Sequence, residues 1–278
     1  MINRSGNILI TVDQNYLPHV RIMLSSLFIN NPGNSYDFYL LHADIPNQAL
    51  RPLQRYCERQ GSRLFPTKVQ DHVFAEAPVG SYYSKAMYYR LLAYELLPEH
   101  LDRILYLDPD ILVINPISEL FNLDLGDKLF AAAEHTWVPS LSKYLNMLRL
   151  GNYESEGYFN SGVMLLNLVQ QRKEIDKAEI FSYVQQHCKE LILPDQDVLN
   201  ALYGHRIMPF DDSLYNYDAR LYKVYYLTSR GEKDLSWVME NTAIIHFCGK
   251  TKPWLKNTKG EFVALYKHYM QLSKQIFE

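Results

Sequence analysis

The sequence predicts an α/β fold, a largely parallel sheet covered by helices on both faces, on three observations. Short runs of β-branched and other apolar residues alternate with stretches of helical periodicity. The runs read as strands buried on both faces. Several of them end abruptly on a carboxylate or an imidazole.

Ile8 to Val12 is the first such run; it passes through Asp13-Gln14-Asn15-Tyr16 into a helical pattern of Val20, Met23, Leu24, Leu27 and Phe28, stopped by Pro32 and Gly33. Phe38 to Leu41 reads as the second strand, Gln48 to Gln60 as a helix closed by Gly61, and Arg63 to Pro66 as a third strand. Ser84 to Leu97 suits one helix that carries Arg90 and ends at Pro98. By itself Arg90 reads as a helix-surface arginine. Ile104 to Leu107 and Ile111 to Ile114 are strands on either side of Asp108-Pro109-Asp110, Ile117 to Phe121 a short helix, and Leu129 to Ala133 a strand ending at Glu134. Residues 136 to 158 lack clear periodicity and read as an excursion from the core. Phe159-Asn160-Ser161-Gly162 leads into a strand from Val163 to Leu168, then a charged helix from Gln170 to about Lys189. Pro194-Asp195-Gln196-Asp197 is placed to cap a helix from Val198 to Tyr203. The tyrosine-rich stretch 211 to 240 is either irregular core or a surface for a second substrate. Thr242 to Ile245 is a last strand ending at His246, and residues 261 to 278 form an amphipathic helix that packs on the domain or touches a membrane surface.

Composition narrows the function. With 47% hydrophobic and 21% charged residues the chain is ordinary globular protein, and a net charge of -3 gives no basic excess to recommend nucleic acid as a ligand. Cys57, Cys188 and Cys248 are odd in number and lack Cys-x-x-Cys spacing, which argues against a disulfide framework or a zinc cluster and for a reducing compartment. Ile8 to Val12 is too short for a signal peptide or a membrane span, so the expected location is cytoplasmic, or peripheral at the inner face of the membrane through the last helix. The 22 tyrosines supply planar surfaces with polar tips, of use wherever sugars or bases stack.

The chemistry concentrates at Asp108-Pro109-Asp110. In extended chain, residues i and i+2 face the same side, and Pro109 stiffens the backbone and keeps Asp108 out of the helical region. Two like charges held together raise each other's pKa, so a divalent cation is their natural partner. In open α/β sheets ligands bind beyond the carboxyl ends of the strands, where Asp13, Asp108, Asp110, Glu134 and His246 are expected to converge. Two carboxylates and an imidazole with room for further oxygens suit six-coordinate Mn²⁺; Mg²⁺ prefers all-oxygen surroundings. A metal-dependent hydrolase or nucleotidyltransferase and a non-catalytic carbohydrate-binding module are the rival classes.

Five ordered motifs carry a resemblance that spans nearly the whole chain: Thr11-Val-Asp-Gln-Asn-Tyr16, Tyr106-Leu-Asp-Pro-Asp110, Tyr158-Phe-Asn-Ser-Gly162, Asp195-Gln-Asp197 and His246-Phe-Cys-Gly-Lys-Thr-Lys-Pro-Trp254. In these the chain resembles family 8 glycosyltransferases, retaining enzymes of the GT-A fold. The resemblance implies a Rossmann-like, mixed but mostly parallel sheet flanked by helices, with a catalytic domain over 1–254 and a small helical tail over 255–278 packed on it. It implies that Asp13, Asn15 and Tyr16 hold the uracil of a UDP-sugar, with the backbone at Thr11 nearby, and that Asp108, Asp110 and His246 bind Mn²⁺, with Asp108 also near the ribose. Gly249 and Lys252 then take the diphosphate; Arg90, Asn160, Asp195 and Gln196 surround the transferred hexose. Asp195, Gln196 and Lys252 are the expected catalytic residues. Galactosyltransferases of the family carry an aspartate where Glu134 aligns, and many members a small residue at Thr11. The partners implied are a UDP-hexose donor and a glycan or lipid-linked sugar acceptor, in the building of cell-surface polysaccharide. A covalent intermediate and attack on the face the leaving group departs from are both open to a retaining enzyme; Gln196, a poor nucleophile, favours the second.

Overall fold

The computed structural model describes residues 6–70, 74, 77, 85–134 and 157–277. Ten strands are found among them: β1 Gly6–Thr11, β2 Tyr36–His42, β3 Arg63–Lys68, β4 Arg103–Leu107, β5 Ile111–Val113, β6 Phe130–Glu134, β7 Phe159–Asn167, β8 Ile207–Phe210, β9 Tyr217–Asp218 and β10 Ile244–His246. Seven make the main sheet in the order β3-β2-β1-β4-β7-β6-β8, and β5, β10 and β9 make a smaller one. β3, β2, β1 and β4 run parallel, whereas β7 is antiparallel to both of its neighbours. The sheet is therefore mixed and mostly parallel, as expected.

Continuous apolar runs are needed because both faces of the sheet are covered. Along β4, Ile104 and Tyr106 enter one hydrophobic core, Leu105 and Leu107 the other. Helices Leu17–Asn30 and Asn47–Arg59 close the second core, and Lys85–Leu91 and Pro194–Tyr203 lie over the first. A third core joins the small sheet to the last helix, Val263–Phe277, through Leu112, Tyr217, Ile245 and Tyr266. That helix is tied to the domain by Tyr266 to His19 at 2.9 Å and by Asn30 to Tyr269 at 2.8 Å, so its aromatic face is buried against protein. No helix among the described residues is long and apolar enough to cross a membrane.

Several boundaries differ from expectation, each for a local reason. The helix expected over 84–97 is two, Lys85–Leu91 and Ala93–Leu96, broken at Leu92, whose φ of -107° and ψ of 22° leave the helical region. The helix expected from Gln170 is Leu168–Glu174 followed by Lys177–His187, because Asp176 accepts from the Ala178 amide and starts a new helix. The helix at 194 begins at Pro194 itself with Leu193 as N-cap, so Asp195 is in its first turn and not its cap. Instead Asp197 accepts from the amides of Ile192 and Leu193, at 2.7 and 3.0 Å. β7 starts at Phe159, four residues before the expected Val163, which places Asn160, Ser161 and Gly162 inside a buried strand. β8, and β9 within the tyrosine-rich stretch, were not anticipated. The excursion expected over 136 to 158 lies, apart from its last two residues, outside the described residues.

Candidate active site

After Leu107 the chain leaves the main sheet, and at Ile111 it joins the small one, so Asp108-Pro109-Asp110 bridges the two sheets at the carboxyl end of β4. Register then brings the partners in. β10 pairs with β5 so that His246 stands opposite Ile111, and the Phe247 amide donates to the Asp110 carbonyl at 3.0 Å. β7 pairs with β4, and the Asp108 amide donates to the Gly162 carbonyl at 2.8 Å. His246 Nε2 is thereby held 3.7 Å from Asp108 Oδ2 and 3.4 Å from Asp110 Oδ1. The ligand atoms of Asp108, Asp110 and His246 all lie within 4.8 Å of one another.

Each member is oriented by neighbours. The Tyr106 hydroxyl donates to Asp108 Oδ1 at 2.5 Å and lies 3.1 Å from Thr11 Oγ1. Arg90 is not a surface arginine. Its guanidinium is buried over the Tyr106 ring and bridges Asp108 at 3.1 Å and Asp195 at 3.0 Å. Its Nε has no partner among the described residues. His246 Nδ1 is 2.8 Å from Asn216 Oδ1, a bond that with Nδ1 as donor turns Nε2 toward the carboxylates. Asn216 also donates to Asn160 Oδ1 at 2.9 Å. Lys252 pairs with Asp110 and donates to the Phe247 carbonyl at 2.9 Å.

Protonation follows from these contacts. Burial raises Asp110 but is outweighed by His246 and Lys252, which hold its carboxyl well below the usual range. Burial raises Asp108, and with Asp110 it outweighs the lowering by Arg90. Burial opposes charge on His246, yet Cys248 and Asp110 push its pKa well above the ordinary value. Asp110 is the partner that counts, because burial raises the Cys248 thiol and keeps it neutral. Without a cation, then, the acids are balanced by Arg90, Lys252 and a protonated imidazole.

A half-buried carboxylate, a buried one and an imidazole whose Nε2 is aimed at both, and which gives up its proton on binding a metal, fit a divalent cation that accepts oxygen and nitrogen ligands. Room for it exists because position 162 is glycine: a Cβ there would come within 2.8 Å of His246 Nδ1 and 2.9 Å of Asp108 Oδ2. These side chains line a cleft of about 280 Å³ together with Arg90, Asn160, Asp195, Gln196, Gly249 and Lys252. A larger cavity of about 940 Å³ lies at the opposite ends of the strands, by Asn7, Arg63 and Arg103, and carries none of the residues singled out by sequence. The smaller cleft lies where the chain order across the sheet reverses, beside β1 and β4, the usual place for a ligand in an α/β sheet.

The family model for glycosyl transferase family 8 matches residues 7–258. The chain belongs to glycosyltransferase family 8. It is 30% identical over 270 residues to General stress protein A of Bacillus subtilis (strain 168), covering 94% of this chain and 92% of that one. It is also 30% identical to a lipopolysaccharide 1,2-glucosyltransferase of Escherichia coli (strain K12), covering 94% and 76%. The galactosyltransferase LgtC, solved with donor and acceptor sugar analogues, superposes with a TM-score of 0.79 at 25% identity, covering 96% and 95%. The fold is GT-A, like that of LgtC.

Within this family 8 cleft the expected residues divide. Arg90, Asp108, Asp110, Asn160, Asp195, Gln196, His246, Gly249 and Lys252 line it. Thr11 is joined to it through Tyr106. Asp13, Asn15 and Tyr16 stand on the turn after β1, where the Asp13 carboxylate accepts from the Asn15 and Tyr16 amides at 2.8 and 3.2 Å. Glu134 departs from expectation. It does not line this cleft but a neighbouring cavity with Pro209, Asp212 and Lys233. Sequence reasoning missed the positioning of Asn216 and the presence of Arg220 in the cleft wall. Both lie in the tyrosine-rich stretch, which has no periodicity to reveal β9; the only sign was that stretch's proposed role as a substrate surface.

Proposed function

We propose that the protein is a retaining glycosyltransferase that moves a hexose, galactose or glucose, from a UDP-sugar to a hydroxyl of a glycan or lipid-linked sugar acceptor. Asp108, Asp110 and His246 hold Mn²⁺, with Mg²⁺ as the alternative. The observation that carries this is the triad of a half-buried Asp108 with buried Asp110 and His246, within 4.8 Å at the strand ends and flanked by Lys252 and Arg90.

When bound, the cation supplies positive charge to the departing diphosphate. With a cation held by Asp110, Lys252 would be released from its ion pair and, with Gly249 beside it, would meet the diphosphate. The bond from the anomeric carbon to the diphosphate oxygen breaks, and the acceptor oxygen bonds to that carbon on the same face. The acceptor proton passes to the departing phosphate oxygen. Arg90 holds Asp195 against the hexose through its ion pair. Gln196 Oε1 accepts from the Ser161 amide at 3.4 Å in the cleft wall, and its second lone pair is the one offered to the cationic sugar. Asp13, Asn15 and Tyr16 receive the uracil at the end of β1.

Incubation with a panel of UDP-sugars and Mn²⁺, following UDP release with and without acceptor sugars, tests the assignment. UDP release stimulated by an acceptor is expected. Release of UMP would indicate a hydrolase, and binding without turnover a carbohydrate-binding module. Lys252→Ala is expected to lower turnover about 100-fold, the usual size of losing one preorganised contact to a developing anion. An unchanged turnover number removes Lys252 from that role.

A further inference from the structure

Among the described residues two arginines and a lysine line the cleft, and they are not equivalent. Arg90 is committed to Asp108 and Asp195, and Lys252 to Asp110, all of which line the cleft as well. Arg220 is different. Its acid, Asp218, stands behind it and outside the cleft lining. Asp218 is 1% exposed and sits on β9 directly opposite His246. Its carboxylate accepts from Arg220 Nε at 2.9 Å, from Nη2 at 2.6 Å and from the Arg220 amide at 3.0 Å. The fork is gripped from behind on one edge. Nη1 makes no hydrogen bond among the described residues and lies 2.5 Å from where a Cβ of residue 249 would stand. Gly249 has a φ of +80° and no side chain, so the guanidinium approaches the turn that precedes Lys252 unobstructed.

We propose that Arg220 is a second cationic contact for the leaving diphosphate, presented by Asp218 and admitted by Gly249. This rests on the UDP-sugar reading above and deepens it. The same ladder that sets His246 against the metal acids sets Asp218, and through it Arg220, on the opposite flank of the diphosphate turn. A UDP leaving group gains negative charge as the sugar departs, and a donor already fixed in place needs no reorganisation to meet it. The neighbouring cavity of about 260 Å³, which shares Arg220 and Cys248 with the cleft, offers a rival use: Arg220 facing an anionic acceptor.

Calorimetric titration of the Mn²⁺-loaded protein with UDP and with uridine separates these. Arg220→Gln is expected to weaken UDP binding roughly 10- to 100-fold, the range for losing one charged hydrogen bond, and to leave uridine binding unchanged. Arg220→Lys should recover part of the loss. Because Arg220→Gln leaves a buried carboxylate alone, the double variant Asp218→Asn/Arg220→Gln serves as a second test and should show the same loss on UDP. Wild-type UDP affinity in either variant overturns the proposal, and so does an equal loss on uridine in both. Unchanged UDP binding with a raised acceptor KM also overturns it and moves Arg220 to the acceptor side. Wild-type protein that binds no UDP with Mn²⁺ sinks the donor reading itself.

Discussion

Asp110→Asn is expected to abolish metal-dependent UDP binding while the fold survives. Asp110 is 6% exposed, and its two oxygens already face His246 and Lys252. Asparagine keeps the size but not the charge, and its amide presents a donor on one side of a cleft built to receive a cation. Changes to groups that merely orient a metal ligand cost about 10- to 100-fold in affinity. Loss of a ligand that is also one of two carboxylates should exceed that range. Stability suffers by about 3–5 kcal/mol at most for one partner of a buried ion pair, and Lys252 keeps its bond to the Phe247 carbonyl. None of the three hydrophobic cores found among the described residues includes Asp110, and together they hold the chain. The measurement is a titration of Mn²⁺ and then UDP into both proteins, with thermal unfolding as a control. Wild-type affinity in a folded variant removes the cation from Asp110.

The position of the site was readable because it depends on strand ends, which local patterns mark. An apolar run stopped by Asp-Pro-Asp, another stopped by histidine, and a fold that gathers carboxyl ends together were enough to unite Asp108, Asp110 and His246. What was not readable depends on pairing between distant segments. Asn216, which fixes the His246 ring, immediately precedes β9, and Asp218, which grips Arg220, is its last residue; β9 is a two-residue strand with no periodicity of its own, and only its ladder with β10 defines it. β8 was missed for a related reason. Ile207-Met-Pro-Phe210 has a proline in mid-strand, a feature that argues against a strand unless it lies at an edge, and β8 is the edge of the main sheet. Arg90 and Asp195 had ordinary local explanations, a helix surface and a helix cap. Both were displaced by a tertiary ion pair that crosses from the helix Lys85–Leu91 to the first turn of the helix Pro194–Tyr203. The convergence of Glu134 was expected from its strand end alone; the register of β6 against β7 shifts between Ala132 and Glu134, and the side chain faces the next cavity.

The second large effect is expected where no ligand is touched. Gly162→Ala adds one methyl group against the His246 ring and the Asp108 carboxylate. Neither can move cheaply. The ring is held through Nδ1 by Asn216, and Asp108 through one oxygen by Tyr106 and Arg90. The backbone at 162 cannot retreat either, because it accepts from the Asp108 amide and lies in a buried strand between β4 and β6. The methyl group therefore turns the imidazole off its bond to Asn216, and Nε2 away from the two acids. Overpacking of this kind costs about 1–3 kcal/mol, or roughly 2–4 °C in Tm per kcal/mol for a chain of this size. Mn²⁺ affinity should fall at least about 10-fold, as for losing the group that orients a metal ligand, although Asp108, Asp110 and His246 are all still present. Asn216→Ala should weaken Mn²⁺ binding in the same direction without overpacking, which separates misorientation of the ring from steric damage. If Gly162→Ala binds Mn²⁺ as tightly as the wild type, the imidazole is not held in place by its neighbours, and the account of how this fold prepares the site fails.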